Sequence, residues 1–166
     1  MNTKNKMKRT EVKRAIALRK TLHKNPELSG FEFKTAKRIR EFLAQNQPTE
    51  IIENIGGTGV AAVYKFSNSG KIICIRCELD ALPIQEVNQF DHRSATKGVS
   101  HKCGHDGHMA IVSGLGFWLK EQSFTSGQVI LLFQPAGENG KGAYAVVNDE
   151  KFKNLNIDYV FALHNI

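Results

Sequence analysis

The 166-residue chain is 41% hydrophobic, enough for one ordinary core and so for one domain. It has no apolar run near the roughly 18 residues of a membrane-spanning helix and no apolar stretch behind its basic start, so a cytoplasmic location with no membrane partner is expected. Its formal charge of +7 lies wholly in residues 1–20, which hold eight basic residues and one acid, while residues 21–166 carry fifteen of each sign; that pattern reads as a solvated terminus leading into an amphipathic helix, with no nucleic-acid partner expected.

Residues 1–10 read as a flexible basic arm. From about Thr10 to Lys24, Val12, Ile16, Arg19 and Leu22 recur at helical spacing, and Asn25-Pro26 ends the run. Ser29 is placed to cap a second helix reaching about Gln45, with Phe33, Ala36, Ile39 and Leu43 on one face. Three strand-like stretches follow: Ile51-Ile52, Val60 to Phe66, and Lys71 to Leu79. Ser67-Asn68-Ser69-Gly70 between the last two is a hairpin-type turn signal. Cys74 and Cys77 form a Cys-x-x-Cys, but positions three apart on a strand face opposite sides, so both read as core residues. An odd count of three cysteines with no secretory signal argues against a disulfide framework.

A long irregular stretch from about Gln85 to Lys102 precedes a helix from about His105 to Glu121, with Met109, Val112, Gly116 and Leu119 inward. Loops of that length in compact domains tend to be functional. Strand Val129–Phe133, a glycine-rich turn, a short helix near Ala143–Asn148 and strand Tyr159–Leu163 complete the chain. The last strand is apolar throughout and reads as buried on both faces. Interleaved helices and strands indicate an α/β fold with a mixed sheet flanked by helices.

The polar residues that can carry chemistry fall at strand ends. Asp80 follows one strand, Glu138 another and His164 a third, while Cys103, His105, Asp106 and His108 open the helix after the long loop. Open α/β sheets bind ligands outside the carboxyl ends of their strands, so these residues should converge on one rim. Three histidines and a cysteine lie in the eight residues from His101 to His108. Thiolate, imidazole and carboxylate together suit a borderline divalent ion such as Zn²⁺, Co²⁺, Ni²⁺ or Mn²⁺. Asp80 beside ligating histidines suits a carboxylate that orients them.

Five ordered blocks resemble the M20 metallopeptidases, in their aminoacylase- and hippurate-hydrolase-like amidohydrolase branch. They are Leu22 to Leu28, Arg76 to Pro83, His101 to His108, Phe133 to Ala136 and Leu163 to Ile166. The resemblance implies a zinc-exopeptidase-like catalytic domain that hydrolyses the amide bond of small-molecule N-acyl amino acids at a two-metal site. It implies Cys103, His105, Glu138 and His164 as metal ligands, Asp80 in support, and Asp106 and His108 behind the ligands or against substrate. Two positions depart from the family pattern. Gly137 stands where the family has its general-base glutamate, and Glu78 where an aspartate is usual. Losing a positioned acid–base group costs about 10²–10⁴-fold in rate. Family members also continue into a dimerisation or lid domain, through which they form homodimers, and a second catalytic half with a last histidine ligand. The expectation is therefore of an incomplete catalytic domain with little or no activity, or a metal-binding remnant or one half of a split enzyme.

Overall fold

A computed structural model describes residues 6–165. Of the expected basic arm, residues 1–5 lie outside the described residues, and Arg9 and Thr10 are already helical. Ten elements run in the order α1 (Arg9–Lys24), α2 (Phe33–Ala44), β1 (Glu50–Ile55), β2 (Gly59–Lys65), β3 (Ile72–Glu78), α3 (His105–Lys120), β4 (Gln128–Gln134), α4 (Gly142–Asn148), α5 (Glu150–Lys153) and β5 (Tyr159–Ala162). The sheet is mixed, with strand order β1-β2-β4-β3-β5. β1 and β2 are antiparallel, as are β2 and β4, whereas β3 is parallel to both β4 and β5.

Side chains alternate across a strand, and both faces of this sheet are covered. Val60, Ala62 and Tyr64 of β2, Cys77 of β3, and Leu131 and Phe133 of β4 pack on one face against Leu22 of α1, Ile39 and Leu43 of α2, and Met109 and Val112 of α3. Ala61, Val63, Cys74, Ile130 and Leu132 pack on the other face with Val146 of α4. Cys74 and Cys77 are both fully buried, on opposite faces, as their spacing requires. Burial raises both thiols, Cys74 to about 12.

The structure corrects several expectations. The turn Ser67–Gly70 does not pair β2 with β3, because β4 lies between them. Phe66 and Ser67 donate their backbone N–H groups to Gly127 O at the start of β4. The apolar run of β4, which needs a neighbour on both edges and cover on both faces, takes the centre of the sheet. The tight antiparallel hairpin is instead β1–β2, with a register irregularity between Glu53 and Ile55.

Ser29 does not cap α2. The Glu27 carboxylate accepts from the N–H groups of Lys34 and Thr35, which leaves the Ser29 hydroxyl free for another partner. The inward face of α1 is Leu18, Leu22 and His23, with Val12 and Ile16 exposed. Phe33 of α2 is likewise exposed. β5 pairs along one edge with β3, but Tyr159, Val160 and Phe161 are each more than half exposed because no described element covers them. α5 has too few residues to show a periodicity and was not expected from the sequence.

Candidate metal centre

The three parallel strands end at the same edge of the sheet, so residues 26 to 86 positions apart become neighbours. β3 delivers Glu78 and Asp80, β4 delivers Gly137 and Glu138, and β5 delivers His164. The parallel β3-to-β4 connection requires a long crossover, and α3 supplies it, with its N-terminus entering at this same rim. Gly104 forms its N-cap with φ +84°, a conformation open to glycine, and a Cβ there would lie 2.8 Å from Asn165 Oδ1. The chain can therefore pass Cys103 and His105 to the rim while Asn165 stays close.

His105 is fixed first. Its Nδ1 lies 2.8 Å from the backbone carbonyl of Asp80 and 3.4 Å from Asp80 Oδ1. Its Nε2 then faces Glu138 Oε1 at 3.6 Å and Glu78 Oε2 at 3.9 Å. Asp80 is wholly buried; its Oδ2 accepts from Ser29 Oγ at 2.5 Å and from the Glu138 backbone N–H at 2.8 Å. Burial pushes the Asp80 carboxyl up, but the bonds from His105, Ser29 and Glu138 outweigh it and hold the group at about 2. Burial pushes His105 down, but the carboxylate and carbonyl of Asp80, with the charge of Glu78, outweigh it and raise the ring above its ordinary value.

Cys103 Sγ lies 3.4 Å from His164 Nε2, and the His164 Nδ1 lies 2.6 Å from the Asn165 carbonyl. The His108 ring stands 4.7 Å from His164 and 5.8 Å from His105, and its Nε2 accepts from the Asn165 N–H. Burial lowers His108 below its ordinary value. Burial also raises the Cys103 thiol to about 11, with further contributions from Glu138, Glu78 and Asp80. One possible ligand atom from each of Cys103, His105 and Glu138 lies within 4.8 Å of the others, and the same holds for Glu78, His105, His108 and His164. Glu78 Oε2, Glu138 Oε1 and His108 Nδ1 are buried without a hydrogen-bond partner.

Orphaned buried carboxylate oxygens such as those of Glu78 and Glu138 are rare and call for an explanation. A rim that gathers thiol, imidazole and carboxylate donors around two unpaired buried carboxylate oxygens fits a divalent cation better than any neutral ligand. Cys103, His105, Glu138 and His164 thus come together, His108 stands among them, and Gly137 faces the same edge.

Asp106 lies elsewhere. With His23 it forms a buried hydrogen-bonded network behind the rim, the His23 Nδ1 being 2.9 Å from Asp106 Oδ2, and the part-exposed Arg19 places its Nε 3.2 Å from the same oxygen. The other His23 nitrogen lies 3.0 Å from Glu86 Oε2. His101 is buried beside this network and is depressed by burial to about 4. Glu86 was invisible in the sequence: it sits in an irregular stretch, and beside Asn88 and Ser94 of its own loop its partners come from α1 and from Lys102.

The sequence pattern of peptidase family M20/M25/M40 matches residues 74–166, which hold every rim residue named above. The chain belongs to that family. It is 41% identical over 149 residues to a hippurate hydrolase from Campylobacter jejuni, covering 90% of this chain and 38% of that protein. To an N-acetyl-L-cysteine deacetylase from Bacillus subtilis it is 40% identical over 158 residues, covering 92% and 36%. A crystal structure of a dinuclear metal-binding M20 peptidase from Bacillus subtilis superimposes with a TM-score of 0.87 at 36% identity, covering 96% of this chain and 44% of that one. This M20 chain therefore spans a little over a third of the length of the curated relatives it matches. Among the described residues no helix is long and apolar enough to cross a membrane.

Proposed function

We propose that this rim is the metal-binding part of an amidohydrolase site acting on N-acyl amino acids. The observation that carries the reading is the convergence of Cys103, His105, Glu138 and His164 around buried acceptors with no partner. The names of the hippurate hydrolase and the N-acetyl-L-cysteine deacetylase supply the substrate class. The structural neighbour is a peptidase, which keeps a peptide amide as the second reading.

Cys103, His105, Glu138 and His164 would hold the ions, two in number as in the dinuclear neighbour, with Zn²⁺, Mn²⁺, Co²⁺ and Ni²⁺ all compatible with the donors. A divalent ion supplies Lewis acidity, polarising the amide carbonyl and making water acidic enough to react near neutral pH. Asp80 sets the His105 ring so that Nε2 points to the rim, the arrangement by which outer carboxylates orient ligating histidines. Gly137 offers no side chain to move a proton from water to the leaving amine, so turnover should fall about 10²–10⁴-fold below that of a site with such a group.

Metal content after dialysis against Mn²⁺ or Zn²⁺, measured for the chain and for Cys103→Ala and His105→Ala, tests the site. Unchanged content in both variants would refute it. Hydrolysis of hippurate, N-acetylcysteine and an unblocked dipeptide, followed as released amine, separates the two substrate readings.

A further inference from the structure

Position 137 is a glycine for reasons of space rather than backbone conformation. Its φ is not in the left-handed region, unlike that of eight other glycines in the chain. A Cβ built there would lie 2.5 Å from Glu78 Cγ and 3.2 Å from both Glu78 Cβ and Asp80 Oδ1. The Glu78 side chain therefore fills the volume in which any side chain at 137 would start. It is firmly placed: Arg76 Nη1 pairs with its Oε1 and also donates to Gln134 Oε1 at 3.2 Å. That leaves Oε2, which is buried without a hydrogen-bond partner, 3.9 Å from His105 Nε2 and within reach of the set that includes His108 and His164. An ion pair with Arg76 alone would leave this oxygen buried and unpaired, which opposes folding.

We propose that Glu78 is a carboxylate ligand of this metal centre, admitted to the rim by the absence of a side chain at Gly137. The proposal rests on the metal-centre reading above. Arg76 turns Oε2 towards the imidazoles, and the added methylene of glutamate over aspartate gives the reach. Residues 78 and 137 are then one unit, and changing either changes metal affinity through the other.

Titration of the full chain with Co²⁺ alone tests this, read by calorimetry and by the cobalt absorption spectrum, with far-ultraviolet circular dichroism as the check on folding. Glu78→Gln, which keeps the shape, should lower cobalt affinity by about tenfold or more. Gly137→Ala should do the same, because the new methyl displaces the Glu78 side chain. In a Glu78→Ala background, Gly137→Ala should cause no further loss, since the space is already open. Wild-type affinity in Glu78→Gln, or an equal penalty from Gly137→Ala with and without Glu78, overturns the proposal. A thiolate-to-cobalt band that Cys103→Ala abolishes reports on the metal centre independently. If that band is present while Glu78→Gln binds as wild type, only the Glu78 assignment falls; if wild type takes up no cobalt, both readings fall.

Discussion

Replacing Glu86 by alanine should be among the most damaging single changes outside the core, although the residue lies in a stretch with no regular structure. Its side chain is 2% exposed. It accepts from Lys102 Nζ at 2.5 Å, from the Ser94 N–H at 2.7 Å and from Asn88 Nδ2 at 3.0 Å, and lies 3.0 Å from His23 Nε2. One carboxylate thereby ties α1, two points of the loop and the residue preceding Cys103. Its removal strands the Ser94 N–H and His23, while Lys102 can still reach water. Leaving those two buried groups without partners costs about 3–5 kcal/mol in total, at about 1–3 kcal/mol each. For a chain of this size that is a fall in Tm of about 6–20 °C. Burial pushes the Glu86 carboxyl up, but the bonds from Lys102, Ser94, Asn88 and His23 outweigh it and bring it from 4.5 to about 2. A group depressed in the folded state stabilises fully above its unfolded value and loses that contribution as the pH falls through its folded value. The gap in Tm between wild type and Glu86→Gln should therefore be full at pH 7 and shrink between pH 4.5 and 2. Thermal melts at pH 7, 4 and 3 measure it. A Glu86→Ala melt within 2 °C of wild type at pH 7, or a Glu86→Gln gap that does not narrow in acid, would refute the reasoning.

Three further substitutions probe how the rim is supported. Glu32 is fully buried and accepts from Thr58 Oγ1 and the Ala136 N–H, both at 2.8 Å, so Glu32→Ala should cost about 1.5–3 kcal/mol in urea unfolding and weaken metal binding by freeing the turn before Gly137. Gly116→Ala places a methyl 2.5 Å from Tyr64 Oη and 2.6 Å from Asn46 Nδ2, an overpacking of about 1–3 kcal/mol that the same urea titration reads. Phe161→Lys on the exposed strand β5 should change stability by less than about 0.5 kcal/mol while lowering concentration-dependent association in light scattering, since exposed apolar edge strands template pairing. Unchanged association would show that this edge is not the contact.

What the sequence discloses and what it conceals divide along physical lines. The apolar runs Val60–Tyr64 and Ile130–Phe133 are local and legible as strands, and the alternation of side chains along a strand then sends their residues to the two cores. The inward face of α3 is legible in Met109, Val112, Gly116 and Leu119 for the same reason, all four being buried. The rim is legible because strand ends are local and the parallel arrangement then brings them to one edge. Strand order is not, since Ser67–Gly70 signals a turn without saying which strand comes to lie beside β2. The burial of β5 is not legible either, because apolar composition says only that a strand can be covered.

The glutamates show the limit most sharply. In the sequence Glu32, Glu78, Glu86 and Glu138 are four carboxylates in or beside turns and strand ends, with nothing in spacing alone to rank them. In the fold Glu32 and Glu86 each have both carboxylate oxygens hydrogen-bonded, and so act as ties between segments 26 to 104 residues apart. Glu78 and Glu138 each keep one buried oxygen without a partner, and both oxygens face His105 Nε2. Leaving a buried acceptor unpaired opposes folding. Two such acceptors turned to one imidazole nitrogen are the pair of groups that the proposed metal centre would satisfy.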